Sequence, residues 1–301
     1  MANLRDIRRR IKSVKNTAQI TRAMQMVAAA KMKKAQDQAL AGRDYADLLN
    51  QVLVNLKANV EEGAHPLLEK RDGGKELMLV VSTEKGLCGA LNTNLLKKIR
   101  SEISADTEIE FITVGRKLRE QLSKAGDELV ADFAVADPAP FIEARPIASF
   151  LMKKFLDGDY GKITVAFTNF VSTMTQEPTV VQLLPIDADT VGEKQEYEGV
   201  GKGEIKATDT AAALSMDYLF EPSSQGVLDA LLPLYVNFQV YQMIIESRAS
   251  EHSARMVAMK GATDNAKKMT KELTLQYNKA RQAAITAELL EITTAMKAME
   301  G

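Results

Sequence analysis

The chain has 301 residues, 46% hydrophobic and 26% charged, with a net charge of −1, which is enough apolar material for a packed core and allows domains of about 150 residues each. Aromatics make up only 5% and Trp is absent, which argues against a base-stacking nucleic-acid module. One cysteine, Cys88, and two histidines, His65 and His252, exclude a disulfide framework and a cysteine- or histidine-rich metal centre, and neither a run of about 18 apolar residues nor a secretory signal is present.

The N-terminal stretch is strongly basic. Residues 1–43 hold eleven Lys/Arg against Asp6 and Asp37, a surplus of nine positive charges. From Asn3 to Ala58 there is no proline and one glycine, Gly42; Ala, Met, Lys and Gln dominate, and these favour helix. Asn3 followed by Asp6 fits an N-cap with an acid three residues on. Ile7, Ile11, Val14 and Ala18 then recur at 4-3-4 spacing. The pattern predicts one helix of about 56 residues, about 85 Å long.

Leu77 to Leu184 reads differently. Leu77–Val81 is a continuous apolar run suited to a strand buried on both faces. Similar runs are Ile109–Val114, Leu129–Val135, Ile163–Phe170 and Val180–Leu184. Helical patterns sit between the first four, at Leu91–Ile103, Lys117–Lys124 and Ile142–Leu156. That alternation predicts a mostly parallel sheet covered by helices. Val171–Thr179 is too short for a parallel crossover, so the last strand should be antiparallel.

Val191–Gly203 is rich in Gly and Glu and reads as a surface loop. A second long helix is expected from about Thr208 to Glu300, interrupted near Pro222 and Pro233. Within it Met259, Ala262, Ala266, Met269, Leu273, Gln276, Ala280 and Ala283 alternate at 3 and 4. The expected organisation is a coiled-coil helix over 1–60, an α/β domain over 75–190, and a second coiled-coil helix with a protruding tip over 208–301. The fold class is α/β plus long helices: an antiparallel coiled coil with an inserted, Rossmann-like, mostly parallel α/β domain. The second helix, at about 90 residues, outruns the first. Some 25–35 residues at its end, including the apolar run from Ile285, should therefore lack a partner within the chain and need a cover from another protein.

Other patterns have plainer readings. Gly86-Leu-Cys-Gly89 stands where a phosphate loop would, but neither a Gly-x-Gly-x-x-Gly nor a Walker motif is present, so a tight structural turn is expected. Cys88 has no nearby His or second Cys and reads as a packed thiol. The basic N-terminus has the composition of a transit peptide or a nucleic-acid arm, yet its heptad-like stripe reads as a helix with solvated or partner-facing charges. His252 reads as an interface or surface residue. Glu288 and Glu291 share a helical face, but partner contact is a better reading than acid–base catalysis. The methionines Met24, Met26, Met32, Met256, Met259 and Met269 read as adaptable packing.

Several blocks resemble one family. Asp6-Ile-Arg-Arg-Arg-Ile-Lys-Ser-Val-Lys-Asn-Thr-Ala-Gln-Ile-Thr-Arg-Ala-Met-Gln-Met is similar to the N-terminal helix of F-type ATP synthase gamma subunits. So are Ser82-Thr-Glu-Lys-Gly-Leu-Cys-Gly-Ala-Leu-Asn, Asp217-Tyr-Leu-Phe-Glu-Pro222, Ala254-Arg-Met-Val-Ala-Met-Lys-Gly-Ala-Thr-Asp-Asn265, and Tyr277 to Ile292. The blocks fall in order along nearly the whole chain. The departures are Lys85 for a common Arg, Ala295-Met296 for the usual Gly-Ala, and no regulatory cysteine pair.

The resemblance implies a central rotor shaft without an active site, cofactor or metal of its own. It would turn inside a hexamer of alpha and beta subunits, one copy per complex. Its foot would meet the membrane c ring and the epsilon subunit, on the cytoplasmic side of a bacterial membrane. By the same resemblance Met24, Arg255, Gln282, Thr286 and Glu288 match positions contacting beta-subunit loops. Lys31, Lys33, Lys34, Tyr218 and Glu221 match the foot. A coiled-coil scaffold with an α/β binding head is the alternative.

Overall fold

The computed structural model describes residues 4–42, 45, 48–49, 52, 65–71, 73–103, 108–186 and 223–299. In chain order the elements are α1 (Leu4–Ala41), β1 (Lys75–Val81), α2 (Leu91–Glu102), β2 (Ile109–Val114), α3 (Arg116–Ala125), β3 (Leu129–Phe133), α4 (Phe141–Leu156), β4 (Tyr160–Phe170), β5 (Gln176–Leu184) and α5 (Ser224–Met299). They form two compact units. One takes Met1–Ala28 and Met256–Gly301, and the other Ala29–Arg255.

The second unit is built on a five-stranded sheet of order β3-β2-β1-β4-β5. β1 pairs in parallel with β2 and β4, and β2 with β3; β4 and β5 are antiparallel. This is the topology expected from strand–helix alternation followed by one short connection. β1 shows how a run without polar residues satisfies two cores, because alternate side chains face opposite sides. Leu77, Leu79 and Val81 join one apolar cluster, and Met78 and Val80 join another. The second cluster is closed by Leu95 and Ile99 of α2 and Leu118 and Leu122 of α3. The first is closed by Ile147, Leu151 and Phe155 of α4 and by Leu228 to Ile244 of α5. The opening turns of α5 are therefore part of the α/β core. The sequence pattern had assigned the whole of that helix to the coil.

Gly115, between β2 and α3, has φ +97°. A Cβ there would collide with the Ser82 carbonyl oxygen. Ser82 itself lies 3% exposed, with its Oγ donating to Gly115 O at 2.9 Å. The junction between β1 and β2 thus requires glycine.

Two expectations about the long helices are corrected. α1 ends at Ala41 with Gly42 in a turn, and only then do Tyr45, Leu48, Leu49 and Val52 recur as helical residues. Gly42 is the sole glycine of that stretch, and glycine is the usual helix terminator. In turn, Pro233 lies inside α5 without ending it. Leu232 is 1% and Val236 0% exposed; burial of these flanking side chains offsets the hydrogen bond that the proline lacks. Val191–Gly203, the start of the expected second helix and Pro222 lie outside the described residues.

In the first unit α1 and α5 pair through a heptad stripe. On α1 the less exposed positions include 7, 11, 14, 18, 21, 25 and 28, and on α5 they include 259, 263, 266, 270, 273, 277, 280 and 284. Thr21 and Thr263 meet across the pair, Oγ1 to Oγ1, at 2.7 Å and buried. From that pair the stripes run outward to Ile7 on α1 and to position 284 on α5, so the segments are antiparallel. The sequence pattern placed Met269, Gln276 and Ala283 in the stripe. Thr270, Tyr277 and Ala284 hold those places instead, and Met269 is 50% exposed. Both patterns keep the 3.5-residue repeat and differ only in phase; a search for apolar letters alone misses threonine.

Candidate functional site

The carboxyl edge of a doubly wound sheet is where ligands usually bind, at the point where the crossovers diverge to opposite faces. Here that point lies between β1 and β4. It is filled by α5. Ser247 Oγ donates to Val81 O at 3.5 Å, Ser250 Oγ to Thr168 O at 3.0 Å, and Ser253 Oγ to Thr173 O at 2.8 Å. All three serines are buried. Short hydroxyls let the helix lie close, and each donates to a backbone carbonyl at the end of β1, near the end of β4 or in the turn that follows it. Sequence reasoning overlooked them, although serines at 247, 250 and 253 keep one side of a helix at i, i+3 and i+6.

One helical turn further, a charged network continues the same surface. Arg255 Nη2 donates to Glu251 Oε1 at 2.7 Å and to Lys85 O at 3.1 Å, and Nε to Gly86 O at 3.3 Å. Arg248 Nη1 donates to the other Glu251 oxygen at 3.0 Å and Nη2 to Val135 O at 2.9 Å. His252 Nε2 lies 3.2 Å from Asp137 Oδ1, and Lys31 Nζ donates to Asp137 Oδ2 at 2.7 Å. His252 Nδ1 faces Arg255 Nη1 at 3.4 Å. A guanidinium only donates, so Nδ1 is the acceptor and Nε2 carries the proton toward Asp137. The His252 bond, and after it the one from Lys31, holds the Asp137 carboxyl far below the usual carboxylate range.

The Gly86–Gly89 turn serves this network. It offers backbone carbonyls to Arg255, and no amide cradle for a phosphate is needed to explain it. Cys88 is 3% exposed beside Thr83 and Asn92, and burial raises its thiol pKa. It is protonated at neutral pH and is not an activated nucleophile. Glu108, Glu110 and Glu128 cluster at the opposite end of the strands. Both oxygens of Glu110 are already taken, by Lys75 Nζ at 2.8 Å and by the Tyr160 hydroxyl at 2.6 Å.

The residues singled out by resemblance fall in different places. Lys31 and Arg255, read as belonging to foot and collar respectively, are joined through Asp137 and His252 in one network. The Arg255 side chain is 12% exposed, and its donors serve its own chain. Lys33 and Lys34 are exposed. Met24 is half-buried, whereas Gln282, Thr286 and Glu288 are exposed. Thr286 Oγ1 donates to Gln282 O at 2.9 Å, which leaves its oxygen lone pairs and the Gln282 amide for other partners. Tyr218 and Glu221 lie outside the described residues. All described residues from 285 to 299 are exposed, including Ile285 at 47%, Leu290 at 62% and Met296 at 59%. Among the described residues no helix is long and apolar enough to cross a membrane.

One unit is thus a pair of helices, and the other an α/β sheet whose strand-end crevice is filled by its own helix. Residues 3–299 match the ATP synthase sequence family. The ATP synthase gamma chain of Akkermansia muciniphila is 51% identical over 300 residues, covering 100% of both chains. That of Opitutus terrae is 46% identical, covering 98% of each. In solved structures, a chain of the Euglena gracilis mitochondrial ATP synthase OSCP/F1/c-ring assembly superposes with a TM-score of 0.65 at 20% identity, covering 98% of this chain and 94% of that one. One from the Tetrahymena thermophila mitochondrial ATP synthase central stalk and c-ring gives 0.60 at 23% identity, covering 81% and 99%. At those identities the likeness speaks for the fold. The chain belongs to the ATP synthase gamma-chain family, and its role is that of the central stalk.

Proposed function

We propose that this chain is a rotor shaft that does no chemistry itself. It carries rotation between a membrane c ring and a catalytic hexamer of alpha and beta subunits, one copy to each complex, with the epsilon subunit at its foot. The observation that carries this reading is the bare end of α5. From Ile285 to Met299 every described residue is exposed, and six of them are large and apolar. A hydrophobic helix end of that length needs a collar. The hexamer supplies one, and the same end carries few fixed charges that would trap it at one angle.

Gln282, Thr286 and Glu288 are the polar handles of this end toward beta-subunit loops, with Met24 on α1. Arg255 serves the same coupling from inside, by tying α5 to the turn at Lys85 and Gly86. Lys31, Lys33, Lys34, Tyr218 and Glu221 form the foot-side set. The chain sits at the cytoplasmic face of a bacterial membrane, held there through the c ring. The filled crevice supports the absence of nucleotide chemistry in this subunit.

The test is reconstitution. Purified chain alone should neither hydrolyse nor bind ATP; added to alpha and beta subunits, it should co-purify with them at one copy and support hydrolysis. A stable homodimer through α5 by light scattering, with no uptake into the hexamer, would overturn the reading in favour of a scaffold.

A further inference from the structure

Within the second unit a cavity of about 170 Å³ opens between α1, the loop after β3 and α5. Its polar lining is Lys31, Lys34, Gln38, Asp137 and Arg248. The carboxylates nearby are already committed. Asp137 is held by Lys31 and His252, and Glu251 by Arg248 and Arg255. Lys31, Lys34, Arg248 and Arg255 thus stand against Asp137 and Glu251, a surplus of two positive charges. Arg248 is 7% exposed. Its Nη1 and Nη2 have acceptors, yet its Nε is buried with no hydrogen-bond partner among the described residues. A buried guanidinium N–H without an acceptor calls for a physical explanation. The network already described does not provide one.

We propose that this cavity binds a small tetrahedral oxyanion, inorganic phosphate. The Arg248 Nε–H is a charge-assisted donor suited to an oxyanion oxygen, and the Lys34 ammonium on its flexible stem supplies a second charge. An oxyanion seated between Lys34 and Arg248 would supply the acceptor that Nε lacks. The cavity has room for several water molecules, which admits phosphate and excludes a whole nucleotide. Asp137 does not repel the anion, because Lys31 and the His252 N–H neutralise it. The site is separate from the bare end of α5 and does not depend on assembly.

The test uses the full chain alone, so its outcome is distinct from that of the reconstitution above. Phosphorus NMR line broadening and thermal unfolding are followed as phosphate replaces chloride at constant ionic strength. Binding is expected, and Lys34→Met should weaken it about tenfold, the loss of one charge-assisted contact. Arg248→Lys, which keeps the charge and removes Nε, should weaken it similarly while the chain stays folded by circular dichroism. Lys12→Met, on an exposed position of α1, should leave it unchanged. Absence of broadening, equal weakening by Lys12→Met, or tighter binding of ADP than of phosphate would each overturn the proposal.

Discussion

Cutting the chain after Ala284 should cost the free protein almost nothing and its assembly a great deal. The described residues that are removed, 285 to 299, are all exposed. Ile285 is 47%, Leu289 57%, Leu290 62%, Ile292 57% and Met296 59% exposed. Full burial of a Leu, Ile or Met side chain is worth about 1.5–3 kcal/mol. About half of each remains to be gained in a collar, so the five contribute about 1 kcal/mol apiece and about 5 kcal/mol together. At about 1.4 kcal/mol per tenfold, affinity for the alpha–beta hexamer should fall by about three to four orders of magnitude. Urea denaturation of the truncated chain should agree with the full chain within about 0.5 kcal/mol. Affinity for the hexamer is then read by surface plasmon resonance. A stability loss above about 2 kcal/mol, or an unchanged affinity, would refute the reasoning.

Gly115→Ala places a Cβ against the Ser82 carbonyl at φ +97°; it should cost about 1–3 kcal/mol by urea denaturation. Thr21→Val leaves Thr263 Oγ1 donating to Met259 O but without its cross-helix partner, so a loss of about 1 kcal/mol is expected, with much of it recovered in the Thr21→Val, Thr263→Val double variant. The folded-state pKa of Asp137 is depressed, so its stabilisation is fully present above the unfolded value of about 4 and is lost as the pH falls through the folded value. Asp137→Asn should flatten that acid limb in denaturation curves taken toward low pH. Cys88, buried and with a raised pKa, should react with iodoacetamide far more slowly in the native chain than in urea, as mass spectrometry would show.

The sheet was legible because its strands are continuous apolar runs bounded by turn residues. β2 matches its expected range residue for residue, and the short link after β4, 171–175 in the structure, forced β5 to run backwards. Helix continuity was less legible. Gly42 is a weak letter in a strong helical context, and Pro233 a strong letter in a context whose burial overrides it. The serines of α5 were hidden for a different reason. Hydroxyls that cap strand-end carbonyls look polar in a helical pattern, so a reading by hydrophobicity assigns them to solvent. Arg255 was visible as a residue of note, yet its partners, Lys85 and Gly86, lie about 170 positions away in sequence. No local pattern announces such a pairing.

One of the sheet's two covers is shared between α4 and the opening turns of α5. During synthesis, β1, β4 and their neighbours leave the ribosome well before Leu228 to Ile244 do. Until that stretch emerges, the side of the nascent sheet with Leu77, Leu79, Ile163 and Val165 has only α4 against it, which leaves part of it wet and open to aggregation or chaperone capture. Completion of this head is thereby deferred to the last quarter of translation, close to the moment at which the bare end also becomes ready for its collar.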